Sequence, residues 1–208
     1  MSFALYPVAI AIVLGIGLFF GTSTLHNFSL PAFAAAMMPL AITFFVFALF
    51  EEVGWRGYLV PKVYGLHGGL LGHLFVGLIW ASWHFPYMRT LWAHTAEGME
   101  TLLPRFIVGT IISAIVYGEI RLRTGSVWPA VLMHGVGNTL ANTLLAGLSN
   151  PENADRAGFV TLLPGKEWLS SFGVEGALMM LIFGVVGTVL YMQRSGGRKS
   201  KVTLVMQE

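Results

Sequence analysis

A series of long, nearly uninterrupted apolar runs decides what this chain can fold into. Residues 3–20, 31–50, 102–120 and 174–192 are rich in Leu, Ile, Val, Ala, Phe and Gly, and each approaches the ~20 residues a helix needs to cross about 30 Å of hydrocarbon. They lack the polar–apolar alternation of a barrel strand. The whole chain follows suit: 55% of its 208 residues are hydrophobic and only 11% are charged, with a mean hydropathy of +0.72, outside the range of soluble domains. The expected fold is all-α: a polytopic membrane helical bundle forming a single membrane-embedded domain over residues 1–208. No internal repeat or second domain is visible. The absence of cysteine excludes disulfides, thiolate metal sites and cysteine nucleophiles.

About six transmembrane helices are expected. The first, 3–20, has neither a basic n-region nor a small-residue cleavage site, and so reads as a retained span. A short loop over 21–30 leads to a second helix from 31, which carries Glu51, Glu52 and Arg56 before Pro61. A third helix over 69–83 ends near His84 and Pro86, where proline stops or kinks it. The loop 88–100, with Trp92 and His94, is a candidate gate. A fourth helix at 102–120 and a fifth at 129–148, starting at Pro129, precede a long polar loop over 149–168 and the last span, 174–192. The tail with Arg194, Arg198, Lys199 and Lys201 belongs on the cytoplasmic side by the positive-inside bias. Six spans place Arg56, Lys62, Arg121 and Arg123 on that same side, with both termini cytoplasmic.

Ionisable groups inside hydrocarbon cost at least about 2.5 kcal/mol each on insertion scales, so each needs a reason. Glu52 and Arg56 are four residues apart and share a helix face, which lets them pair. Adjacent Glu51 then points about 100° away, free to act as a general base on water. The plainer reading is a structural ion pair at the membrane edge. His84 sits among aromatics in WASWH, a setting that also suits an interfacial histidine. His134 and Asn138, again four apart, present an imidazole and an amide on one face. They suit donation to an oxyanion or metal binding, or simple helix–helix hydrogen bonding. Asn142 extends that face and reads as structural. Glycines 65, 68, 69, 72 and 77 allow close helix approach or a water-lined opening.

These residues carry a resemblance. EEVGWR resembles the Glu-Glu-x-x-x-Arg motif of the CPBP family of intramembrane proteases, the Abi group that includes CAAX prenyl endopeptidases and bacteriocin-processing or self-immunity proteins. WASWH resembles its second motif, usually Phe-x-x-x-His, with Trp80 in the aromatic position. HGVGN resembles its His-x-x-x-Asn/Asp motif. The similarity covers about residues 44–145, and the family commonly has up to eight spans.

The resemblance implies an intramembrane endopeptidase in which Glu51 and His84 activate water and His134 and Asn138 stabilise the oxyanion, with Glu52 and Arg56 in support. It implies a membrane peptide or prenylated protein as substrate, the lipid bilayer as surroundings, and a bacterial plasma membrane as location. Nucleic acid is not an expected partner. It leaves open zinc held by His84, His134 and Glu51, although no His-Glu-x-x-His helix is present, which tilts the reading toward a metal-free mechanism. The competing readings are a non-catalytic scaffold or immunity factor, and a small proton-coupled carrier.

Overall fold

The computed structural model describes residues 2–86, 88, 97–145 and 158–205, with side chains described through residue 196. A short 3₁₀ turn, Ser2–Ala4, runs into helix α1, Leu5–Phe19. Helix α2, Leu30–Glu52, starts at Ser29, whose Oγ accepts a 3.4 Å hydrogen bond from the Ala32 N–H, with Pro31 in the first turn. Serine there satisfies an otherwise unpaired backbone donor, and proline sacrifices none. The helix does not end at the two glutamates. A π-helical segment, Val53–Leu59, carries it into α3, Val60–Leu66, so that Leu30–Leu66 is one rod of 37 residues.

The remaining helices are α4, Leu70–Trp83; α5, Met99–Thr124; α6, Trp128–Leu144; the single turn α7, Glu167–Ser170; and α8, Ala177–Val205. All six predicted spans therefore appear as helices. Four helical segments, Ser2–Phe19, Leu30–Leu66, Met99–Thr124 and Ala177–Gly196, are long and apolar enough to cross a membrane. Helix α4 is apolar but shorter. The 14 residues of α4 reach only about 21 Å at 1.5 Å per residue, because the chain turns at His84. The 17 residues of α6 run between Pro129 and Leu145 and are largely enclosed by other helices.

Two loops also differ from expectation. Residues 21–30 contain strand β1, Ser23–Leu25, which pairs antiparallel with β2, Val160–Leu162, setting Thr24 opposite Thr161. The rest of the long polar loop, and the candidate gate residues Trp92 and His94, lie outside the described residues. The final helix continues through the basic tail to Val205 instead of stopping near 192, consistent with the helix preference of Lys and Arg.

Helix α6 packs against α2 and α1, α5 against α4 and α8. Their shared core includes Val13, Val76, Trp80, Ala114, Tyr117, Met133 and Phe183. Away from that core, Glu119 on α5 is fully buried. It accepts from Arg194 Nε at 2.6 Å and lies 2.8 Å from His73 Nε2, while Arg194 also bonds the Tyr64 hydroxyl. One carboxylate so ties α3, α4, α5 and α8 together. At the same end Arg121 Nε donates to the Arg56 carbonyl at 2.9 Å and Arg123 to the Leu190 carbonyl, gathering the basic residues on one side of the bundle.

A close helix crossing tests this packing. A Cβ on Gly77 would stand 2.7 Å from the Ile111 Cα, a backbone atom that cannot swing aside, whereas one on Gly65 would meet nothing. Gly77→Val is expected to cost about 1–3 kcal/mol by overpacking and to lower the melting temperature in detergent. Gly65→Ala should leave it unchanged.

Candidate active site

The site is organised around a carboxylate with no exposed surface. Glu52 Oε1 accepts from Arg56 Nη1 at 3.0 Å and from His134 Nδ1 at 2.8 Å, and both Glu52 and Arg56 are 0% exposed. The Arg56 guanidinium lies between two aromatic faces, 4.0 Å from the Trp80 ring centre and 4.4 Å from that of Tyr117. Desolvated cation–π contacts of this kind are worth up to about 2 kcal/mol each. They explain how a charge tolerates this interior. Glu52 Oε2 and Arg56 Nε and Nη2 have no protein partner among the described residues, so the spot stays strongly polar.

The backbone around it is unusual. Glu52 and Arg56 keep the expected pairing, yet Arg56 lies in the π-helical segment, a local widening found mostly at functional sites. Glycines 54 and 57 fall within it.

Beside this hub lies a cavity of 390 Å³ whose wall includes Glu51, His84, His134 and Asn138. The structure thus brings together the four residues that the motifs named, from α2, the end of α4 and α6. Glu51 is not partnerless as expected: its Oε2 accepts from the Trp55 indole at 3.3 Å, one helical turn on. Asn142 also reaches the wall, and its amide donates to the Asn138 carbonyl at 2.8 Å. None of glycines 65, 68, 69, 72 and 77 lines the cavity; the glycines that do are 137 and 173.

Hydrogen bonding fixes the histidine tautomers. His84 Nδ1 stands 2.7 Å from the Trp80 carbonyl, which only accepts, so Nδ1 carries the hydrogen and neutral Nε2 offers a lone pair. His134 Nδ1 faces the Glu52 carboxylate and must likewise donate, again leaving Nε2 as an acceptor in the neutral ring. Both imidazoles meet Trp80 in edge geometry, its ring centre 5.8 Å from that of His84 and 6.0 Å from that of His134.

The fit of these side chains to a metal ion is poor. Among the described residues no three His, Asp or Glu side chains are gathered closely enough to hold one. The set His84, His134 and Glu51 is spread around the wall, and one Glu51 oxygen is engaged by Trp55.

Several wall residues escaped the sequence reading: Tyr6, Thr110, Tyr117 and Glu175. Tyr6 and Tyr117 stand inside apolar spans without a spacing rule to single them out. Trp55 was legible, four residues after Glu51.

Fold and site together define a helical integral membrane protein with a Glu-, His- and Asn-lined cavity enclosed in its bundle. The sequence model of the family described as Type II CAAX prenyl endopeptidase Rce1-like matches residues 33–140, and the chain belongs to that family. It is also similar to the CAAX prenyl protease 2 of Methanococcus maripaludis, 29% identical over 87 residues. That match covers 40% of this chain and 32% of the relative, so the chain spans about a third of the relative's length. No solved structure matches.

The hub makes a firm prediction. Arg56→Ala leaves the Glu52 carboxylate buried beside a single imidazole, and breaking a buried pair in this way costs about 3–5 kcal/mol. Arg56→Lys keeps the charge but forfeits flat stacking between Trp80 and Tyr117, and should fall between. Thermal melting of the detergent-solubilised variants gives the order.

Proposed function

We propose that the protein is an intramembrane endopeptidase that hydrolyses a peptide bond in a membrane-associated or lipidated peptide. The observation that carries this reading is the convergence of Glu51, His84, His134 and Asn138 on one cavity, backed by a buried carboxylate that orients His134. The family description and the name of the archaeal relative favour a prenylated substrate, and the apolar wall suits a lipidated one. The basic end of the bundle is proposed to face the cytoplasm.

The chemistry follows from which groups are free. Glu52 is fully buried off the cavity wall, with Oε1 committed to Arg56 and His134, so it is not placed to meet the water as the base. Glu51 has one oxygen held by Trp55 and the other available to take a proton from water. The Nε2 lone pair of His84 accepts the water's second hydrogen and aims its oxygen at the carbonyl carbon. As the carbon becomes tetrahedral, its oxygen takes up negative charge, which the Asn138 amide can meet with a hydrogen bond; His134 Nε2 can add a second only when the ring is doubly protonated. Collapse breaks the C–N bond, and Glu51 returns its proton to the departing amine.

A scaffold or immunity factor would use the same polar cluster only to hold helices together. The two readings part at Glu51, whose removal costs a structural protein its fold and an enzyme only its turnover. Mass-spectrometric mapping of protein termini in membranes expressing wild type or Glu51→Gln at matched levels decides between them. New termini are expected with wild type alone, with unchanged accumulation of the variant. Identical maps from two folded, abundant proteins would remove the hydrolytic reading.

A further inference from the structure

We infer that Tyr6, on α1, is a further catalytic residue: its hydroxyl donates a hydrogen bond to the oxyanion formed as water adds to the scissile carbonyl. The inference rests on the hydrolytic reading above. Tyr6 lies outside the matched stretch 33–140, and no motif points to it.

Its placement is built into α6. A Cβ on Gly137 would stand 2.7 Å from the Tyr6 ring, so only glycine leaves room for the tyrosine there. Gly137 falls between His134 and Asn138, and all three line the cavity with Tyr6. The ring also packs against Phe183, centre to centre 4.9 Å. The aromatic body is thus held by two neighbours, next to the helical turn that carries two motif residues.

An account of the donors in the wall then singles out its hydroxyl. The hydrogens on Nδ1 of His84 and of His134 are spent on the Trp80 carbonyl and Glu52, and neutral Nε2 has none to give. Among the side chains, Thr110 Oγ1 donates to the Phe106 carbonyl at 2.8 Å, and the Asn142 amide, a further turn along α6, gives one of its two hydrogens to the Asn138 carbonyl. The Trp80 indole N–H is buried and has no partner among the described residues, and Trp83, at the cavity rim, is 63% exposed. The Tyr117 hydroxyl donates, at a long 3.5 Å, to the oxygen of Tyr6. Beside Gly137 this leaves the Asn138 amide and the Tyr6 O–H, which among the described residues receives a hydrogen bond but gives none. Two donors are what an oxyanion hole needs.

In the step itself the water oxygen bonds to the carbonyl carbon, the π pair moves onto the carbonyl oxygen, and the water proton passes to Glu51. Tyr6 and Asn138 donate to the resulting oxyanion and keep their hydrogens throughout. When the π bond re-forms, the C–N pair leaves with the amine, which takes the proton from Glu51.

Tyr6→Phe removes only the oxygen and keeps the ring on Gly137 and Phe183. It is compared with wild type, Tyr117→Phe and Glu51→Gln in two readouts: kcat and KM on a prenylated, internally quenched peptide, and the rate at which Glu51-dependent termini form in expressing membranes. Loss of one oxyanion donor lowers turnover about 100-fold. Tyr6→Phe should show that loss in kcat and in terminus formation, with KM and melting temperature unchanged, and Tyr117→Phe a smaller one. Wild-type rates in Tyr6→Phe, or a defect confined to KM or to melting temperature, would overturn the inference. If Glu51→Gln itself matches wild type in both readouts, it is the hydrolytic reading that fails, and this inference falls with it.

Discussion

A carboxylate buried in a membrane bundle must be compensated locally, and Glu52 is compensated from two directions. Arg56 reaches it from one turn further along the same rod, and His134 reaches it from α6. The arginine is in turn flattened between Trp80 of α4 and Tyr117 of α5. Four separate helical segments thereby acquire a fixed relation through one charge. Among the described residues the Glu52–His134 hydrogen bond is a directional contact between α2 and α6, so it helps to fix how the two helices face each other.

The same arrangement separates the two neighbouring glutamates into different environments. Glu52 is turned inward and saturated on one oxygen; Glu51, about a quarter-turn away, faces a cavity and accepts from the Trp55 indole. A membrane interior offers few ways to keep a carboxylate available to water. Here the hub supplies one, by fixing the rod's rotation so that the second acid must face the opening. The π-helical segment contributes by altering the helical phase just past these residues, where a regular helix would set Arg56 and Trp55 differently.

What the sequence made legible was whatever obeys a short-range rule. Apolar runs located all six helices, and i, i+4 spacing paired Glu52 with Arg56 and placed His134 and Asn138 on one face. The lengths of α4 and α6 were not legible, since both are cut short by turns whose position depends on packing. Nor was the Glu119–His73–Arg194 cluster, whose members stand 46 and 75 residues apart and meet only through the tertiary fold. Tyr6 and Tyr117 show the same limit. An aromatic inside an apolar span looks like filler until its neighbour is known to be a glycine on another helix. The β1–β2 pairing escaped for a related reason, because each strand of three residues is too short to declare a period.

The two-stranded sheet has a consequence for how the molecule comes into being. It clasps residues 23–25 to residues 160–162, and the cavity wall likewise draws on Tyr6 from the beginning of the chain and on Phe172 to Glu175 from beyond the sheet. The three motifs, ending at Asn138, leave the ribosome well before those last wall residues do. A nascent chain therefore holds every motif residue while its chamber still lacks one side. Completion of the wall is a late event in synthesis, and the cavity takes its shape only after every motif residue is already in the chain.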